Sequence, residues 1–212
     1  MSLGFYLDAN TGPDGCVIFY KAAVFDLVSK SSKILEVWGK ESNQVVLSLN
    51  LRHKESRREI CVATTHLKAR SGDHLSTIRN EQGKDILQFL EKVHKEAPII
   101  LTGDFNDEPS EAVYKTLTEN ERTPLVSAYK LGEACQTDGE QNMEDVNLEY
   151  TTWKFRETGE QKHILDYIFH SPHLQTVSTM DMPTEQQVGE DRLPSLQFAS
   201  DHLSLVADIK IF

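Results

Sequence analysis

The stretch that most constrains this chain runs from Asp73 to Asp104. Leu75, Ile78, Ile86, Phe89, Leu90 and Val93 recur near i, i+3 and i+4, which predicts a helix with one apolar face over residues 73–94. Soon after comes Pro98-Ile99-Ile100-Leu101, apolar throughout, and then Thr102-Gly103-Asp104. A strand with no polar face has to be covered on both sides. An amphipathic helix followed by a buried strand that stops at a polar loop therefore points to a sheet with helices packed against it.

The remaining chain reads as strand-rich. The turn cluster Asn10-Thr11-Gly12-Pro13-Asp14-Gly15 precedes short strands over residues 16–20 and 24–28. Residues 44–51 and 58–65, joined by polar His53-Lys54-Glu55-Ser56, predict a hairpin. Ser110 is placed to cap a helix through Leu117. Residues 150–155 and 163–170 predict strands joined by Glu157-Thr158-Gly159-Glu160, and residues 203–212 alternate as a closing strand. Helices and strands do not alternate strictly, so the fold class is α/β in the broad sense (α+β), with antiparallel or mixed sheets and no internal domain boundary.

Composition narrows the function. Hydrophobic residues at 39% and charged residues at 26% suit a globular chain rather than a disordered one. No apolar run approaches the ~20 residues of a membrane span, and no basic segment followed by an apolar one opens the chain. Cys16, Cys61 and Cys135 lack metal-ligand or paired spacing and read as thiols in a reducing, intracellular (cytoplasmic) setting. The net charge of −11 argues against a protein that grips long nucleic acid through many phosphates. Part of that charge lies in residues 133–149, which carry six acids and no Lys or Arg and read as a solvated loop.

Four clusters can carry chemistry. Gly103-Asp104-Phe105-Asn106 delivers a carboxylate and a carboxamide from the end of a buried strand, able to position a water or bind a metal or a phosphate; it equally suits a turn. Thr65-His66-Leu67-Lys68-Ala69-Arg70 sets three cation-forming side chains at alternate positions, for a phosphate-bearing ligand or for solvent. Asp166, within Leu165-Asp166-Tyr167-Ile168-Phe169, is an acid in an apolar strand that needs a partner, a histidine or a structural one. Asp201-His202 enters the last strand, where the imidazole can move a proton and the carboxylate can ligate a cation. Strand-end His, Asp/Asn, Asp and Asp-His on separate strands are what a metal-assisted phosphoesterase assembles.

In that order, Thr-His-Leu, Gly-Asp-Phe-Asn, Leu-Asp-Tyr and Ser-Asp-His resemble the exonuclease–endonuclease–phosphatase superfamily. Gly12-Pro13-Asp14-Gly15-Cys16, Thr65-His66-Leu67-Lys68-Ala69-Arg70, Tyr150-Thr151-Thr152-Trp153-Lys154-Phe155-Arg156 and Arg192-Leu193-Pro194-Ser195 resemble its nocturnin and carbon-catabolite-repressor-type deadenylase branch. The resemblance implies a DNase I-like two-layer β-sandwich flanked by helices. It implies a hydrolase dependent on Mg²⁺ (or Mn²⁺) that acts on an adenine-containing substrate, either poly(A) RNA as a 3′-exonuclease or NADP(H) as a 2′-phosphatase. Under it Asp104 activates the attacking water and approaches the metal, and Asn106 holds the phosphate or that water. Asp201 lies near the metal, His202 contacts the scissile phosphate with Asp166 orienting it, and His66 stabilises charge on the phosphoryl oxygens. Lys68, Arg70 and Arg156 contact substrate.

The superfamily also places a metal-site Asn and a Gln-Glu, the main Mg²⁺ ligand, before the Gly-Pro-Asp-Gly-Cys segment. Eleven residues precede Gly12, and no Gln-Glu occurs among them. The resemblance thus implies residues 1–11 as linker or cloning remnant and residues 12–212 as a domain without its N-terminal part, the main Glu ligand being absent. The fragment is expected to be inactive or impaired, to expose a sheet edge suited to dimerisation, and to belong to a cytoplasmic or mitochondrial parent. The alternative is a non-catalytic nucleotide-binding module.

Overall fold

The computed structural model of the chain describes residues 2–8, 15–94, 96–131 and 147–212. Residues 10–14 of the turn cluster, residues 133–146 of the acidic stretch and Cys135 lie outside them. Strands β1 (Ser2–Asp8) and β2 (Gly15–Lys21) form an antiparallel ribbon. Strands β3 (Phe25–Val37), β4 (Lys40–His53) and β5 (Glu59–His66) follow, then helix α1 (Asp73–Val93), β6 (Ile99–Asp104) and helix α2 (Ala112–Thr118). Short strands β7 (Val126–Ser127), β8 (Lys130–Leu131) and β9 (Asn147–Leu148) lead to the hairpin of β10 (Thr152–Arg156) and β11 (Gly159–His163). The chain closes through β12 (Asp166–His170), β13 (Gln175–Thr179), α3 (Glu185–Val188) and β14 (Ala207–Lys210).

The central sheet has six strands in the order β3-β4-β5-β6-β12-β7, antiparallel throughout except for the parallel β5–β6 pair. Alternation along each strand divides the side chains between two cores. Val46, Cys61, Ala63, Ile99, Leu101, Tyr167 and Phe169 pack with Ile86, Leu87, Phe89 and Leu90 of α1 and with Val113 and Leu117 of α2. On the other face Val45, Leu47, Leu49, Leu51 and Ile60 meet Cys16, Ile18 and Tyr20 of β2, with Ile100 and Ile209 of β14 alongside. The ribbons β1–β2 and β13–β14 form the second layer. Ile99, Ile100 and Leu101 divide between these cores, which is why their stretch has no polar position. Among the described residues no helix is long and apolar enough to cross a membrane.

Several elements depart from the sequence reading. Strand β3 is much longer than residues 24–28, because the Ser/Lys-rich residues after Val28 pair with β4 at a sheet edge, where polar side chains face solvent. The predicted strand over residues 163–170 divides in two. Residues up to His163 return along β10, whereas Asp166–His170 leave that hairpin for the central sheet. Ser110 does not cap α2. Its N-cap is Glu111, and the Asp107 carboxylate accepts the N–H of Val113 at 3.3 Å instead. The closing strand spans only Ala207–Lys210. Residues Ser2–Asp8, placed before the domain by the sequence reading, are paired along their length with β2.

Candidate active site

The site forms at one end of the central sheet, and register alone brings three of its residues together. Strands β5 and β6 run parallel and end side by side, so His66 is the register partner of Asp104. Strand β12 runs antiparallel to β6, so its first residue, Asp166, also pairs with Asp104. Gly103 permits the approach, at a φ of 146°. A Cβ there would lie 2.0 Å from the Thr65 carbonyl oxygen. The Asp201-His202 segment is fastened at Thr152, which bridges to His202, and at the Thr151 carbonyl, which accepts Leu203 N–H at 2.8 Å. The Thr151 hydroxyl also accepts the N–H groups of Leu165 and Asp166, which fixes the start of β12.

His202 Nδ1 lies 2.8 Å from Asp166 Oδ2. A carboxylate only accepts, so Nδ1 carries the proton and Nε2 turns toward Asp104, 4.0 Å from its Oδ2. His66 Nε2 lies 3.5 Å from the same oxygen. The hydrogen bond to Asp166 raises the His202 pKa against the opposing effect of burial. Burial first, and then the charge of Asp166, push Asp104 above the usual carboxylate range. Asp104 Oδ1 accepts the Asn106 N–H at 2.8 Å, across a turn in which Asn106 takes a φ of 52°. The Asn106 amide donates to the Leu67 carbonyl at 3.1 Å and so ties this loop to the one after β5. Gly103-Asp104-Phe105-Asn106 forms a turn, and the turn leaves the Asp104 side chain on the cleft.

Asp104, Asp166 and His202 each offer a ligand atom within 4.8 Å of the others. Two carboxylates crowded this closely suit a hard divalent cation, which would relieve the repulsion that raises Asp104. The fit holds at the carboxylates, since His202 is already engaged by Asp166. Asp201, the other expected ligand, stands apart from this set. Its carboxylate contacts Lys154 Nζ at 2.6 Å and Arg156 Nη2 at 3.6 Å, and the Lys154 hydrogen bond holds its pKa low.

His66, Asp104, Asn106, Asp201 and His202 line an open cleft of about 1100 Å³, with Arg70, Lys154 and Arg156 on its walls and Asp166 behind His202. Lys68 does not line this cleft. It borders an adjacent recess with Asn43, Gln44 and His66, because Leu67 is buried between them and the loop turns. Three residues that build the site or its walls escaped the sequence reading. Lys154 sits two residues before Arg156 on β10, and that i, i+2 spacing was a legible signal. Thr151 gave none. His163 pairs with Glu108 on the cleft wall, a contact that no local pattern announces.

Comparison with known proteins agrees with this fold. The profile of the Endonuclease/Exonuclease/phosphatase family matches residues 3–202. Nocturnin of Drosophila melanogaster is 43% identical over 217 residues, covering 97% of this chain; the chain spans 34% of that protein's length. The human Nocturnin catalytic domain with bound sulfate anion superimposes with a TM-score of 0.80 at 35% identity, covering 99% of this chain and 72% of that one. ANGEL2, a 2′,3′-cyclic phosphatase solved with adenosine-2′,3′-vanadate, shares the fold at a TM-score of 0.77 and 22% identity, over 98% of this chain and 74% of its own. The α+β architecture with its mixed sheet is the DNase I-like fold of these structures, and the chain belongs to the Endonuclease/Exonuclease/phosphatase family, among its nocturnin-like members.

Proposed function

We propose that the protein is a divalent-metal-dependent phosphoesterase that hydrolyses a phosphate ester on an adenine-containing substrate, poly(A) RNA or NADP(H). One observation carries the reading: Asp104, Asp166 and His202 converge within 4.8 Å, and Asp104 and His202 open into a cleft walled by Arg70, Lys154 and Arg156. The cations hold the substrate phosphate, Arg70 and Arg156 by charge-assisted hydrogen bonds. Asp104, with its raised affinity for a proton, takes one from the attacking water. His202, held by Asp166, places Nε2 on a phosphoryl oxygen, and His66 faces it from β5. Asn106 orients the water or phosphate from the same loop. Asp104 and Asp166 would hold the cation, while Asp201 stands apart on Lys154; Mg²⁺ or Mn²⁺ would supply Lewis-acid stabilisation of the phosphoryl oxygens. The adenine preference is carried over from the nocturnin-like sequence resemblance, and ANGEL2, which shares the fold, is solved with adenosine-2′,3′-vanadate. A cytoplasmic setting is favoured by Cys16 and Cys61, which carry thiols rather than a disulfide. Val17 and Phe19, exposed on β2, are the face we assign to dimerisation; sedimentation as monomer alone at high concentration would exclude it.

Incubation with Mg²⁺, NADPH and oligo(A), followed by mass spectrometry beside an Asp104→Ala control, tests the reading. NADH formed only by the unaltered chain identifies a 2′-phosphatase, and AMP identifies a 3′-exonuclease. Binding of either compound without product shows that this chain lacks an essential ligand, as the Gln-Glu expected upstream implies, and overturns the hydrolase for this chain in favour of a nucleotide-binding module.

A further inference from the structure

Two polar side chains interrupt the apolar face of α1, and both are fully enclosed: Arg79 is 1% exposed and Gln82 0%. A buried guanidinium demands partners for its five donors. Arg79 finds them on two separate loops of the cleft. Its Nη1 donates to the carbonyl oxygens of Lys68 at 3.1 Å and Arg70 at 2.7 Å. Its Nε donates to Asp107 Oδ1 at 2.7 Å, and Nη2 lies 2.7 Å from the same oxygen. Gln82 Oε1 accepts the Lys68 N–H at 3.1 Å, while its amide donates to Gln44 Oε1 at 2.9 Å and to Ser42 Oγ at 3.2 Å.

The loop held in this way is not in a relaxed conformation. Arg70 has a φ of 79°, which for a residue with a Cβ is disfavoured by roughly 1–2 kcal/mol. Its carbonyl is the nearer of the two Arg79 acceptors in that loop. On the other side Asp107 directly follows Asn106, itself at a φ of 52°. Its carboxylate also accepts from Ser76 Oγ and from Val113 N–H, and its carbonyl accepts the Tyr167 hydroxyl. One guanidinium therefore spans both strained segments that flank the cleft.

We infer that Arg79, nearly enclosed at the floor of the cleft, and Gln82 behind it are positioning residues: they fix the loop over residues 67–70 so that Arg70 faces the cleft ready for a substrate phosphate. This rests on the phosphate-contact role proposed for Arg70. The loop is set before ligand arrives, so no ordering cost falls on binding. Arg79→Lys keeps the charge beside Asp107 but removes the fork that reaches two carbonyls and a carboxylate together.

The experiment measures binding of adenosine 2′-monophosphate by calorimetry in the unaltered chain, Arg79→Lys, Arg70→Ala and the double variant. Amide hydrogen exchange of residues 67–70 is followed in the same samples. Arg79→Lys is expected to weaken binding about tenfold, the scale of one hydrogen bond to a charged group, and to speed exchange in the loop. In the Arg70→Ala background the same substitution should have no further effect on binding. Unchanged affinity in Arg79→Lys, or a full loss added to that of Arg70→Ala, overturns the inference. If Arg79→Lys does not melt cooperatively, Gln82→Met is judged by the same two readouts, since within that loop it frees only the Lys68 N–H. If the unaltered chain binds no adenosine 2′-monophosphate, the phosphate role of Arg70 fails by itself; exchange in the loop then decides the clamp, unchanged protection in the variant overturning it.

Discussion

His202 is useful because of what stands behind it. Its Nδ1 is occupied by Asp166 at 2.8 Å, so only Nε2 is left for the cleft. Asp166→Asn removes the charge that favours the cationic imidazole and can present the wrong group to Nδ1. Hydrolysis should fall about 10²- to 10⁴-fold, read as kcat in a steady-state assay, while the unfolding midpoint stays close to that of the unaltered chain. A second residue reports on the core. Burial raises the Cys61 thiol from 9.0 to about 11, against a smaller opposing effect of its hydrogen bond with Ser48. A raised native pKa means that the folded chain keeps a proton that the unfolded chain releases. The stabilisation is therefore complete below pH 9 and is lost as pH climbs from 9 to about 11, on the order of 2–3 kcal/mol for two units. Urea titrations across that range should show the decline in the unaltered chain and a smaller one in Cys61→Ala.

At the scale of elements, helix α1 does two jobs at once. One row of its face fills the core with Ile86, Leu87, Phe89 and Leu90, and another reaches the cleft loops through Arg79 and Gln82. It also carries α2 close against it at Gly83, where a Cβ would lie 2.5 Å from Val113 Cγ2. In an exposed helix interior Gly→Ala stabilises by about 1 kcal/mol. Here Gly83→Ala must push Val113 away, so the expected result is a loss of stability of about 1–3 kcal/mol, measured by denaturant unfolding. The strand ends show how much was legible locally. The apolar run through Leu101 and its stop at Asp104 announce a buried strand, because residues facing two cores leave no polar position. The extent of β3 was not legible, since an edge strand keeps polar side chains and its pairing with β4 is decided by β4. The break between His163 and Asp166 was hidden for a similar reason: both halves are strand-like, and only their different partners separate them.

For the whole molecule, the two principal cores lie on the two faces of the sheet, and the cleft lies at its end, outside both. Fold and chemistry are thus separable. Chelation with EDTA should reduce hydrolysis to the level of Asp104→Ala without unfolding the chain. Restoring Mg²⁺ at a hundredfold excess over its dissociation constant should raise stability by about 2.7 kcal/mol, the linkage of one bound ion, in thermal melts. The sequence by itself determined the strand-rich α+β class, the helix of α1, the buried β6, and the identity of His66, Asp104, Asn106, Asp166 and His202 as candidates, because each follows from periodicity or from polar residues at the end of an apolar run. The tertiary structure decided which of these meet. Register between β5, β6 and β12 brings His66 and Asp166 to Asp104, long-range hydrogen bonds turn Lys68 into a side recess and Asp201 onto Lys154, and a buried guanidinium in α1 joins two loops far apart in the chain. Each of those outcomes is a contact between segments distant in sequence, and such contacts are set by packing and pairing rather than by any local pattern of residues.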